Sequence, residues 1–132
     1  CEDELVLVCG SNHPLAGKKK INLEMLNDQD YISRESGSAE RNQFERIFEE
    51  KSIRLKRSFC STNTEAIKNA VIHGRGIAAL SKMLIENECN QGSMVILSLS
   101  EPKVTRYINL AVHKNKYISK SIKAVMAICE KL

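Results

Sequence analysis

The sequence predicts an α/β fold, a mixed sheet flanked by helices, and three observations lead there. Short apolar runs alternate along the chain with stretches whose apolar residues recur at helical spacing. Glycine and proline separate the two kinds of segment. The chain is 132 residues long with 42% hydrophobic and 27% charged residues, enough for one globular domain with a real core and unlike a disordered chain.

The elements follow in order. Glu4 to Cys9 (ELVLVC) is a continuous apolar run and reads as a buried strand. His13-Pro14-Leu15-Ala16-Gly17 is a turn. Asn22 to Asn27 closes one helical turn around Leu23 and Leu26. Tyr31 to Ser33 is a short strand that enters Glu35-Ser36-Gly37-Ser38. A helix is predicted from Ala39 to Glu50, with Phe44, Ile47 and Phe48 as its core face. Ile53 to Ser61 carries a strand with Leu55 and Phe59 pointing inward.

Ser61 to Leu80 (STNTEAIKNAVIHGRGIAAL) is the most informative stretch. Thr64 stands where an N-cap belongs, and Glu65 suits the positive end of the helix dipole. Ala66, Ile67, Ala70 and Val71 form one apolar face, and Gly74 or Gly76 ends the helix. Ile77 to Leu80 is a short buried strand. A polar-faced helix is expected over Lys82 to Glu88, then a turn at Asn90-Gln91-Gly92. Met94 to Leu99 is a strand stopped by Glu101-Pro102. Tyr107 to His113 is another strand. The last helix, Ser119 to Glu130, gathers Ile122, Val125, Met126 and Cys129 on one face.

Composition narrows the function classes. Net charge is only +4. The basic clusters Lys18-Lys19-Lys20 and Arg54-Lys56-Arg57 read as solvated loops rather than a nucleic-acid stripe. Tryptophan is absent and aromatics are 5%, so stacking platforms are scarce. No apolar run approaches the roughly 20 residues of a membrane helix, and a membrane partner is not expected. Five scattered cysteines without a CxxC pair form neither a disulfide framework nor a zinc site. Cys60 and Cys129 read as small buried hydrophobes, and free thiols point to the cytoplasm. His13, His73 and His113 share no motif with Cys, Asp or Glu, so neither a cofactor nor a metal is expected and no catalytic constellation stands out. Glu45, Glu49 and Glu50 read as an exposed helix face.

Two places can hold a small molecule without catalysis. Ser36-Gly37-Ser38 leaves a strand and opens a helix, where free N–H groups and hydroxyls can cradle an anion. Simple capping by Ser38 explains the same residues and does not exclude a ligand. The turn before the helix of the Ser61 to Leu80 stretch repeats the arrangement.

The order HPLA, YISRESGSAER, STNTEAIKNAVIHGRGIAALS and RYINLAVHK, spanning essentially the whole chain, resembles the effector-binding domain of LysR-type transcriptional regulators. The resemblance implies one lobe of a type 2 periplasmic-binding-protein-like fold. It implies a small-molecule effector, an organic acid or amino-acid-like compound, in an interlobe cleft. It also implies dimers that pair into tetramers, with DNA bound only through a winged helix-turn-helix outside these residues. On that plan residues 1–132 are one partial effector-binding domain: about 4–106 form the second lobe, and 107–132 the return strand and C-terminal helix. The chain starts at Cys1 without a methionine and is expected to be a fragment that lacks the first lobe. Affinity for an effector is then expected to be low, and the face of the last helix must dock on this lobe or on a second copy. Carried over by position, the cleft residues are Glu35, Ser36, Gly37, Ser38, Ala39 and Arg41 in one loop and Thr62, Asn63 and Thr64 in the other. Ile77 and Ala78 would line the floor. Ala39 stands where some members carry a hydroxyl, which counts against a sulfate-like ligand. A fragment of a type 2 solute-binding protein and an α/β enzyme remain as alternatives.

Overall fold

The computed structural model describes residues 1–100 and 103–131. Its strands are β1 (Glu2–Gly10), β2 (Asp30–Arg34), β3 (Lys56–Ser61), β4 (Ile77–Ser81), β5 (Met94–Ile96) and β6 (Val104–Tyr107). Its α-helices are α1 (Ala39–Glu50), α2 (Thr64–Ile72), α3 (Glu86–Asn90) and α4 (Lys120–Cys129). The strands form one sheet in the order β3-β2-β4-β1-β5, and β6 also pairs with β1. β2 lies parallel to β3 and β4, whereas β1 runs antiparallel to β4, β5 and β6. The sheet is therefore mixed, as expected.

Alternation along each strand splits the core into two layers. Leu5, Leu7, Cys9, Tyr31, Ile77 and Ala79 face α1 and meet Phe44 and Phe48. Val8, Ile32, Ala78 and Leu80 face the other way and meet Ile67 and Val71 of α2, with Ile85 and Met94. Because both faces are covered, the strands read as continuous apolar runs rather than alternating ones. Burial pushes the Cys9 thiol up to about 11, so it is an inert core group.

The helix Ala39–Glu50 and the buried strand beginning at Ile77 stand where the sequence puts them. Gly74 ends α2: at φ +70° its N–H donates to Val71 O and the Arg75 N–H to Ala70 O, the paired bonds of a Schellman turn. Elsewhere the structure corrects the expectations. Phe59 is 44% exposed and Cys60 is exposed, because β3 is the sheet edge and a register shift at Tyr31/Ile32 alters its facing. The predicted Lys82 to Glu88 helix is broken into a 3₁₀ turn (Lys82–Leu84) and α3, with fully buried Ile85 between them. β5 stops at Ile96, and the expected strand end at Glu101-Pro102 lies outside the described residues.

The expected strand Tyr107 to His113 is instead Val104–Tyr107. β6 pairs with Glu2 to Leu5, and a last exchange joins Ile108 to Cys1. α4 keeps its Ser119 cap but buries none of its residues: Ile122, Met126 and Cys129 are half-buried and Val125 is 56% exposed. Within a single chain the predicted apolar face of α4 is not docked, and Cys129 is not a core residue.

Gly76 allows β4 to lie against β2. Its φ is +144°, and a Cβ there would stand 2.3 Å from the Asp30 carbonyl oxygen. Gly76→Ala should therefore lower stability by about 2 kcal/mol or more, whereas Gly74→Ala meets open space and should cost about 1 kcal/mol through its left-handed backbone alone. Urea unfolding of the two variants measures the difference.

Candidate functional site

The parallel pairing of β2 with β3 sets Arg34 opposite Ser61. Each strand then turns directly into a helix, so the starts of α1 and α2 emerge side by side. The positive ends of their two helix dipoles give that end of the sheet positive character. The two loops named by the resemblance, Glu35 to Ala39 and Thr62 to Thr64, meet here. Ser36, Gly37, Ala39, Thr62 and Asn63 are exposed, and Glu35, Ser38, Arg41 and Thr64 are half-buried. Gly37 turns the first loop at φ +89°.

The two helix starts differ. At α2 the cap is Asn63, not Thr64: the Asn63 Oδ1 accepts from Glu65 N at 2.9 Å and Ala66 N at 3.3 Å. Ser61 Oγ in turn accepts from Asn63 N at 3.0 Å. At α1, Ser38 occupies the cap position but makes no side-chain cap hydrogen bond. The expected capping by Ser38 is thus replaced by a hydroxyl left for other work.

Arg34 joins the loops. Its Nε and Nη2 donate to the Glu35 carboxylate at 2.9 and 3.1 Å, and its Nη1 donates to Thr64 Oγ1 at 2.9 Å. Beside that guanidinium the Glu35 carboxyl is held below its ordinary value. Arg41 is committed below the loop, donating to Glu45 at 2.8 Å and to the Arg34 carbonyl at 3.4 Å. Glu45 also accepts from Arg57, so it is a paired group and not part of a solvated face. Ile77 and Ala78 are 0% exposed and pair with Tyr31 and Ile32 of β2, so they have no surface of their own with which to line a cleft floor.

Behind the loops lies a set of charges that the sequence reading missed. Glu40, in the first turn of α1, is 5% exposed. Its Oε1 accepts from Arg106 Nη2 at 3.1 Å, and its Oε2 lies 3.6 Å from Arg34 Nη1. Arg106 Nε also donates to Asp3 Oδ2 at 2.7 Å, and Ser81 Oγ donates to Asp3 Oδ1 at 2.7 Å. Asp3 and Arg106 face each other across β1 and β6. The available signal was a lone charge beside each apolar run, at Asp3 and Arg106.

Each histidine ring is engaged by nearby backbone: His13 with Leu15 N, His73 with Asn69 O and His113 with Asn115 N. Among the described residues no group of three or more His, Cys, Asp or Glu is placed to hold a metal, and no helix is long and apolar enough to cross a membrane.

Comparison with known proteins fits this frame. The family model described as the LysR substrate binding domain matches residues 1–132. The chain belongs to the LysR substrate-binding domain family. This LysR domain is 33% identical over 118 residues to the transcriptional activator CmpR of Synechocystis, covering 89% of the chain and 39% of that protein. It is 30% identical over 129 residues to the regulator YeiE of Escherichia coli K12, covering 98% of the chain and 44% of that protein. It spans less than half the length of these curated relatives, which are named as transcriptional regulators. Among solved structures it resembles the regulatory domain of Synechocystis CcmR in complex with 2-PG (TM-score 0.82, 29% identity, 96% of this chain and 61% of that one). It also resembles the effector-binding domain of QuiR in complex with shikimate (TM-score 0.80, 32% identity, 98% of this chain and 61% of that one).

Arg106 is the shared counter-ion of two carboxylates with little access to water. Arg106→Met should cost about 3 kcal/mol or more, since it leaves Asp3 without its counter-ion and Glu40 with only the longer contact to Arg34. Asn63→Ala should cost about 1 kcal/mol, the loss of one helix cap. Thermal and urea unfolding measure both.

Proposed function

We propose that this LysR domain is the effector-sensing lobe of a bacterial transcription regulator, and that its effector is a small organic anion held at the paired starts of α1 and α2. One observation carries the reading. The sheet brings two helix starts together, ties them through the Arg34 to Thr64 hydrogen bond, and leaves the Ser38 hydroxyl uncommitted. Such a place favours a carboxylate or phosphate through backbone donors and helix dipoles. The complexes of CcmR with 2-PG and of QuiR with shikimate support the same ligand class, since shikimate is a carboxylate. Ser36, Gly37, Ser38, Ala39, Thr62 and Thr64 are the residues we assign to effector contact. Asn63 and Arg41 hold the loops in shape.

On this reading residues of about 4–106 are the second lobe of a two-lobed sensor, and the chain beyond Tyr107 returns to the first. The uncovered face of α4, with Val125 and Ile128 56% and 64% exposed, then packs against that other lobe. DNA is contacted by a separate domain of the full protein, which acts as a dimer or tetramer in the cytoplasm. Catalysis has no part in it.

The test uses the full-length protein. Thermal shift against a panel of small organic acids and amino acids, with shikimate and 2-phosphoglycolate included, should find a compound that raises apparent stability, by about 2.7 kcal/mol at a hundred times Kd. Ser38→Phe should abolish that shift and the effector response while DNA binding is unchanged. A regulator whose response survives Ser38→Phe does not use this site.

A further inference from the structure

Among the described residues Arg34 is the one guanidinium whose hydrogen bonds reach both loops, and three of its five N–H donors are already taken. The partners are not equal. Thr64 is fixed in the first turn of α2, and Glu40 is buried in the first turn of α1 behind it. Glu35 sits in an irregular turn, and its side chain is 36% exposed against 19% for Arg34. It covers the Nε/Nη2 edge with both carboxylate oxygens, at 2.9 and 3.1 Å. That edge is the geometry a guanidinium offers to an incoming carboxylate or phosphate.

We infer that Glu35 is a built-in competitor for the effector: its carboxylate occupies the edge of Arg34 that the effector's own anionic group takes when it binds. The inference rests on the effector-sensing reading above and adds to it the group that selects the ligand. The exchange trades one ion pair for another, so Arg34 never loses a counter-charge. Thr64 and Glu40 keep the guanidinium in place while the exposed edge changes partner.

Selectivity follows from the competition. A neutral molecule gains nothing by displacing a carboxylate from Arg34. A monocarboxylate replaces Glu35 with its own kind, and a phosphate brings more charge and a third oxygen to the same edge. The device therefore favours a phosphate-bearing or doubly charged acid over a simple monoacid. It also holds the site closed to weakly charged compounds, a repulsive element of the kind that specificity needs. Removing the carboxylate while keeping the shape opens the edge to any compact anion.

The experiment is calorimetric titration of the full-length regulator with three probes, 2-phosphoglycolate, shikimate and inorganic phosphate. The variants are Glu35→Gln, Arg34→Gln and Arg34→Lys, each checked for an unchanged ligand-free circular dichroism spectrum. Glu35→Gln should tighten binding of the anionic probes by about fivefold, the scale of one partly exposed ion pair, and should narrow the preference for 2-phosphoglycolate over shikimate. Arg34→Gln should abolish binding, and Arg34→Lys, which keeps the charge without the fork, should fall between. Equal affinities in wild type and Glu35→Gln overturn the competitor role, as does a Glu35→Gln protein that binds none of the three. A regulator that responds to an effector indifferent to Glu35→Gln keeps its sensing function and loses this mechanism. Tightened anion binding with DNA affinity unmoved by ligand does the reverse.

Discussion

Two carboxylates with almost no access to water share a single guanidinium. Asp3 comes from the first strand, Glu40 from the first turn of α1, and Arg106 reaches both from β6. Charges removed from water are tolerated only when paired and hydrogen-bonded. Here the pairing fixes geometry that apolar contacts alone leave loose. It sets the register of β1 against β6, draws in β4 through Ser81, and pins the start of α1 above the sheet. The loop from Glu35 to Ser38 hangs from that pinned start. Its shape therefore depends on a contact between residues 66 positions apart, Arg106 and Glu40.

Local signals carried much of the fold. α1 was legible to its ends because Phe44, Ile47 and Phe48 lie at helical spacing behind a serine-glycine turn. The Ile77 strand was legible because a strand covered on both faces reads as a continuous apolar run. What was not legible depended on neighbours. Whether Phe59 and Cys60 point inward is decided by β3 lying at the edge and by the register shift beside it, which no local pattern encodes. The cap moved from Thr64 to Asn63 because either residue can serve, and the hydroxyl of Thr64 had a better use with Arg34.

The two candidate loops could be named through resemblance, and the hydrogen bonding within them could not. Ser36, Gly37, Ser38, Thr62 and Thr64 could be pointed to in the chain. That Asn63 is consumed by its own helix while Ser38 is not emerges only in the folded chain. The charge balance was hidden for the same reason as the core network: Asp3 and Arg106 are 103 residues apart in the chain. Around the loops every cation has an acidic neighbour, so the local potential comes mainly from the two helix starts rather than from free side-chain charge.

The exchange of hydrogen bonds between Cys1 and Ile108 has one more consequence. It joins residues 107 positions apart in the chain. Closing so long a loop costs entropy that more local contacts must offset first. The pairing of β1 with β6 therefore follows the more local pairing of β2 with β3 when the chain folds.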